Sequence, residues 1–141
     1  MKKYLNFSLI YAVAALAGGV FYREFTKFNG FVGATALGKV HVHLFVLGMI
    51  WFLLVALFAD RCPIEKQKGF RLALPLYHVG VTLSAVMLLT RGIPQVLGTA
   101  LSAGMDAAIS GLAGLGHVCV GVGLVLFLLA FRKAAQQKAE P

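Results

Sequence analysis

Four runs of apolar side chains, each long enough to cross a bilayer, alternate with short polar or glycine-bearing breaks along the 141 residues. A spanning helix needs about 20 mostly apolar residues, and the pattern predicts spans over about residues 4–22, 35–59, 72–90 and 108–131. The break from Asp60 to Phe70 carries Arg61, Pro63, Lys66, Lys68 and Gly69 and reads as a tight polar turn. The segment from Arg91 to Ala107 is too apolar for an ordinary loop, and Pro94, Gly98 and Gly104 interrupt it too often for a span. It predicts an interfacial half-helix lying over one mouth of the bundle. The expected fold is an all-α integral membrane protein, a four-transmembrane-helix bundle forming a single domain over residues 1–141.

Composition sharpens this picture. With 60% hydrophobic and 13% charged residues, the chain is too apolar to cover itself with polar surface in water, so the lipid bilayer is its expected surrounding. The formal charge of +8 would suggest nucleic acid in a soluble chain, but here the basic residues flank apolar runs and no nucleic-acid partner is expected. Lys2, Lys3, Arg61, Lys66, Lys68, Arg71, Arg132, Lys133 and Lys138 fall on one side of the four-span arrangement. Arg23, Lys27, Lys39 and Arg91 fall on the other. Basic excess marks the cytoplasm, so both termini are expected to be cytoplasmic and the protein multi-pass in a bacterial cytoplasmic (inner) membrane. The opening Met-Lys-Lys is signal-like, yet the apolar stretch after it ends at Tyr22-Arg23-Glu24 with no small-residue cleavage site, and it predicts the first span. Cys62 in the turn and Cys119 within a span are not expected to meet as a disulfide.

All four histidines, His41, His43, His78 and His117, lie inside predicted spans, where polar side chains are expensive and face an interior partner. One such histidine is most simply an interhelical hydrogen-bonding group; four on three helices favour ligation. His41 and His43 are two residues apart, so a regular helix turns their rings about 200° from each other and only one can face a given site. Helical steps from His41 pass Ala34, Gly38, Phe45, Gly48 and Phe52, and steps from His117 pass Ala113, Gly114 and Gly121. Both predict grooves of small residues able to admit a flat macrocycle. Counted at 1.5 Å per residue, His43 and His117 lie at similar depths, roughly 7 to 10 Å from the midplane, with His78 about 5 Å on its other side.

Neutral imidazoles in a low-dielectric bundle suit haem, whose propionates need cations at the membrane edge. The expected cofactor is therefore haem b, held by His117 and one of His41 or His43, with Arg23 and Arg91 facing the propionates and Lys39 at the same edge. His78 is expected at a second haem or on a quinol or proton path. Tyr11 and Tyr22 lie on the small-residue side of span one, within reach of a cofactor. Asp106 is expected to cap span four, and Glu24 to pair with Arg23. No Ser-His-Asp set, Walker loop or paired carboxylate is present, so hydrolase and nucleotide chemistry find no support.

The run from His41 to Gly48, with Phe21-Tyr22-Arg23-Glu24-Phe25 before it and Arg91 to Gly98 and Gly114-Leu115-Gly116-His117 after it, resembles a family of small four-span bacterial membrane proteins of unassigned function. The His-x-His helix is also similar to histidine-bearing helices of haem–copper oxidase subunit-one-like and nitric-oxide-response membrane proteins. That likeness implies haem or copper chemistry. It does not imply oxygen reduction, because the chain lacks the twelve-helix array. Electron transfer, or the binding of haem or a diatomic gas, with any enzymatic role being haem-dependent redox activity, is thus the leading functional expectation. A carrier or channel for copper or another transition-metal ion, using the histidines as a ladder, is the alternative; a structural subunit of a membrane complex is a third. A homodimer and a quinol or redox-protein partner are expected with the haem reading.

Overall fold

In the computed structural model, residues 1–139 are described and fold as four long helices. Helix α1 spans Lys2–Phe28, α2 Leu37–Arg61, α3 Lys68–Leu97 and α4 Ala103–Ala139, with a single 3-10 turn at Ile64–Lys66 between α2 and α3. All four are long and apolar enough to cross a membrane. Only 22–33% of their most apolar windows is buried within the chain, which leaves the remaining apolar surface to lipid. Leu9, Ile10, Val13, Leu16 and Val20 form such an outward stripe on α1.

The helices pair as two antiparallel hairpins. Helix α1 packs along α2, and α3 packs along α4 even more extensively, with α2 joined to α3 between them. Glycines set these distances. An added Cβ at Gly80 would meet the Val120 nitrogen at 2.6 Å and one at Gly116 the Ser84 hydroxyl at 2.7 Å, so α3 and α4 touch nearly backbone to backbone. The start of α1 and the end of α4 lie at the end that carries the α2–α3 turn, the termini end of the bundle. There the Tyr4 hydroxyl donates to Glu65 (2.6 Å), and the Gln67 side-chain amide donates to Gln137 (2.7 Å). An aromatic core of Phe52, Phe70, Tyr77 and Phe127 fills the bundle above this end, with Trp51 and Phe131 at its edge.

At the opposite, distal end the connection is not an interfacial half-helix. Helix α3 continues through Pro94 to Leu97 and stops at Gly98, whose φ of 65° is the left-handed conformation glycine accepts without strain. Proline removes one backbone donor there, but the last turns of α3 are tied down elsewhere. Gln95 Oε1 accepts from the Ala36 amide (2.8 Å) and the Thr35 hydroxyl (3.1 Å), capping the start of α2, and Gly92 lets the Leu37 backbone approach. Helix α4 begins earlier than expected, at Ala103. Its first turn is capped by Ser102, whose hydroxyl accepts from the Met105 amide (3.2 Å), while the Asp106 carboxylate turns instead to Arg91.

Within α2, residues Leu44–Ile50 form a π-helical stretch directly after His43. The wide turn is supported from α1. The Ser8 hydroxyl donates to the Met49 carbonyl (2.8 Å), and the Tyr11 ring sits so close to Gly48 that no Cβ fits between them.

Candidate functional site

His41 and His43 point to opposite sides of α2, as their spacing requires. His41 faces α1, where an added Cβ at Gly19 would lie 3.7 Å from its Cβ and Cγ. Its ring lies nearly parallel to that of Tyr22, with centroids 6.3 Å apart and 15° between planes. Its Nδ1 is buried without a partner. The groove expected along this face is filled: the Tyr22 ring packs against Gly38 and the Tyr11 ring against Gly48, so tyrosines occupy the relief that the small residues provide.

His43 faces the other way and meets His117 of α4. The two rings are 6.3 Å apart between centroids and nearly perpendicular, at 88°. His43 Nδ1 donates to the Lys39 carbonyl (2.9 Å), and His117 Nδ1 donates to the Ala113 carbonyl (2.7 Å), each one turn back on its own helix. A carbonyl only accepts, so each neutral ring carries its proton on Nδ1 and keeps a bare lone pair on Nε2. Among the described residues no hydrogen bond engages either Nε2. A ring nitrogen anchored to a carbonyl with its opposite nitrogen bare is the arrangement that orients an imidazole as a metal ligand. With metal–nitrogen lengths of about 2.0–2.1 Å, two imidazoles on opposite sides of one ion hold their centroids roughly 6 Å apart.

The surroundings of the pair differ on its two walls. On α4, Gly114 and Gly121, three residues before and four after His117, face open space, whereas Gly116 and Gly123 are filled by Ser84 and Tyr77 of α3. His117 itself is exposed. At the termini end of the same α2–α4 gap, aromatic contacts close it: Trp51 packs with Phe127, and Phe58 stacks on Phe131 at 4.5 Å.

Two cations stand on the distal side of the pair. Lys39 lies one turn from His43, on the same face of α2. Arg91 Nη2 reaches from α3 to α4, where it donates to the Asp106 carboxylate (2.7 Å) and the Ser110 hydroxyl (2.8 Å). Ser110 precedes His117 by seven residues on one helix face, so this guanidinium sits about 10 Å farther along α4. Arg23 makes the expected pair with Glu24 (3.3 Å) at an exposed position, and no contact joins it to the histidines.

His78 occupies a third location, between α1 and α2. Its ring stacks on Phe52 (4.4 Å, 10°), meets the edge of Phe7 (4.6 Å, 77°), and hydrogen-bonds through Nδ1 to the Tyr11 hydroxyl (2.9 Å). Its Nε2 is buried with no partner. The four histidines therefore fall into three places, and only His43 and His117 come together. No group of three or more His, Cys, Asp or Glu side chains capable of holding a metal ion occurs among the described residues. Cys62 and Cys119 are both free. The Tyr11–His78 bond and the π turn carry no local sequence signal, because each depends on how α1 docks against α2 and α3.

Residues 1–134 match the model of a family described as a protein of unknown function, DUF2871. The chain belongs to that family. Membership in DUF2871 covers all four helices and both members of the histidine pair, and it provides no link to haem–copper oxidases. No curated protein and no solved structure matches the chain.

Proposed function

We propose that this DUF2871 protein is a multi-pass membrane haem protein of b type, with electron transfer as its function, in which His43 and His117 would hold the haem iron. The observation that carries the proposal is the pair itself: two imidazoles from different hairpins, each anchored by Nδ1 to a carbonyl, with bare Nε2 atoms and a 6.3 Å centroid separation. A porphyrin supplies four nitrogens and asks the protein for one or two ligands, so a pair suffices. A free transition-metal ion draws three or four donors from the chain, and the dispersal of the histidines gives less support to the ladder of a metal carrier. The open glycines beside His117 supply relief for a flat ring, and Lys39 supplies positive charge for its carboxylates, whereas Arg91 is already paired with the Asp106 carboxylate. Bound haem would supply one-electron chemistry; the chain's part is to fix two ring nitrogens, exclude water and balance the carboxylates.

The basic residues gathered at the termini end support a cytoplasmic placement of both termini, and the uncovered face of α4 supports a homodimer. The test is spectroscopic. Purified protein supplemented with haem is expected to show a Soret band, which His43→Ala and His117→Ala each reduce at least tenfold and His41→Ala leaves in place. A bound transition metal without porphyrin by elemental analysis, or a Soret band indifferent to His43 and His117, overturns the assignment.

A further inference from the structure

A second site, separate from the histidine pair, lies on the other side of α2. Phe7, Ile10, Tyr11, His78 and Thr82 line a cleft of about 310 Å³ between α1 and α3. Ile10 and Thr82 are exposed, so the cleft opens sideways between two helices long and apolar enough to cross a membrane. Its walls are aromatic or aliphatic, with the polar groups confined to the Tyr11–His78 hydrogen bond and the Thr82 hydroxyl.

The proton arrangement at that bond defines what the cleft offers. If Tyr11 donated to His78 Nδ1, the ring's other proton would sit on Nε2, which is buried without a partner, and a buried donor would be stranded in the bilayer. With Nδ1–H donating to the Tyr11 oxygen, the buried Nε2 is a bare lone pair instead of a stranded donor, and the Tyr11 O–H is left to donate at the cleft, beside the Thr82 hydroxyl. Two hydroxyl donors within aromatic walls, reached from the hydrocarbon region, match a planar ring bearing carbonyl acceptors and a lipid-soluble tail.

We infer that this α1–α3 cleft binds the head of a membrane quinone, its carbonyl accepting from Tyr11 and Thr82 and its ring lying against Phe7 and the His78–Tyr11 pair. The inference goes beyond the haem assignment and does not require it: the cleft and the His43–His117 pair share no residue.

Trp51 is the single tryptophan of the chain and lies one layer away, packed on Tyr77 and adjacent in sequence to Phe52, which stacks on His78. Its fluorescence is a built-in reporter, because quinones quench tryptophan. Decylubiquinone titrated into the full-length protein in nanodiscs is expected to quench Trp51 saturably. Tyr11→Phe should weaken the apparent Kd about three- to tenfold, the loss of one neutral hydrogen bond. Thr82→Phe, which fills the mouth from an exposed position, should abolish the saturable phase even if the Tyr11 variant fails to fold. The double variant His43→Ala/His117→Ala should bind the quinone as the parent does, so failure of the haem assignment and failure of this one give different results. Quenching that rises without saturation, or that is identical in the parent, Tyr11→Phe and Thr82→Phe proteins, overturns the inference.

Discussion

At the scale of single residues, glycine and histidine divide the work of placing this molecule's polar groups. Gly48 accepts the Tyr11 ring so closely that a methyl group there would overlap it, and the displaced ring carries the hydroxyl that holds His78. Gly48→Ala is therefore expected to destabilise the protein by about 1–3 kcal/mol through overpacking. Gly121→Ala, facing open space, should leave the protein's stability unchanged or slightly higher, since alanine is the better helix former. Thermal midpoints of the two variants in one detergent decide this; equal shifts would show that Gly48 is not the tight contact described. The sequence made the opposite facing of His41 and His43 legible, because two residues of helix fix it. Which of them meets His117 was not legible, since that depends on which flank of α2 receives α1. Arg91 was recognisable as a cation near the distal end of its helix, but its engagement with Asp106 and Ser110 was hidden because it crosses from α3 to α4.

Helices show the same division. The four apolar runs announced themselves by length, and each coincides with one of the four helices, although α1, α3 and α4 run longer at the distal end and α2 starts two residues later. Pro94 and Gly98 read as an interruption, whereas only Gly98 ends the helix. A proline costs one backbone bond, and the Gln95 contacts to Thr35 and Ala36 lock the turn around it. Gln95→Ala removes the acceptor that caps α2, and it should cost about 1 kcal/mol and speed hydrogen exchange at the Ala36 amide. An unchanged exchange rate would mean that the cap does not hold the start of α2. The π turn at Leu44–Ile50 had no signature beyond Gly48, because the carbonyl that stabilises it is satisfied by Ser8 from another helix.

For the whole molecule, the architecture gathers nine of the thirteen Lys and Arg residues at the termini end and leaves Thr99 and its neighbours at the distal end. In a chain carrying Cys119→Ala, a membrane-impermeant thiol reagent added to intact cells is expected to label Thr99→Cys and spare Cys62. Labelling of Cys62 instead would reverse the orientation proposed for the termini. Architecture also bears on assembly, because the two histidines of the pair belong to different hairpins, and His117 sits on α4, the last of these four helices to be synthesised. Helices α1 and α2 leave the ribosome before His117 does, so under the haem proposal a ring gripped by both histidines could not be loaded into a finished first half. It would have to arrive after both hairpins are made, beside the open glycines of α4, and in place it would rivet the two hairpins together.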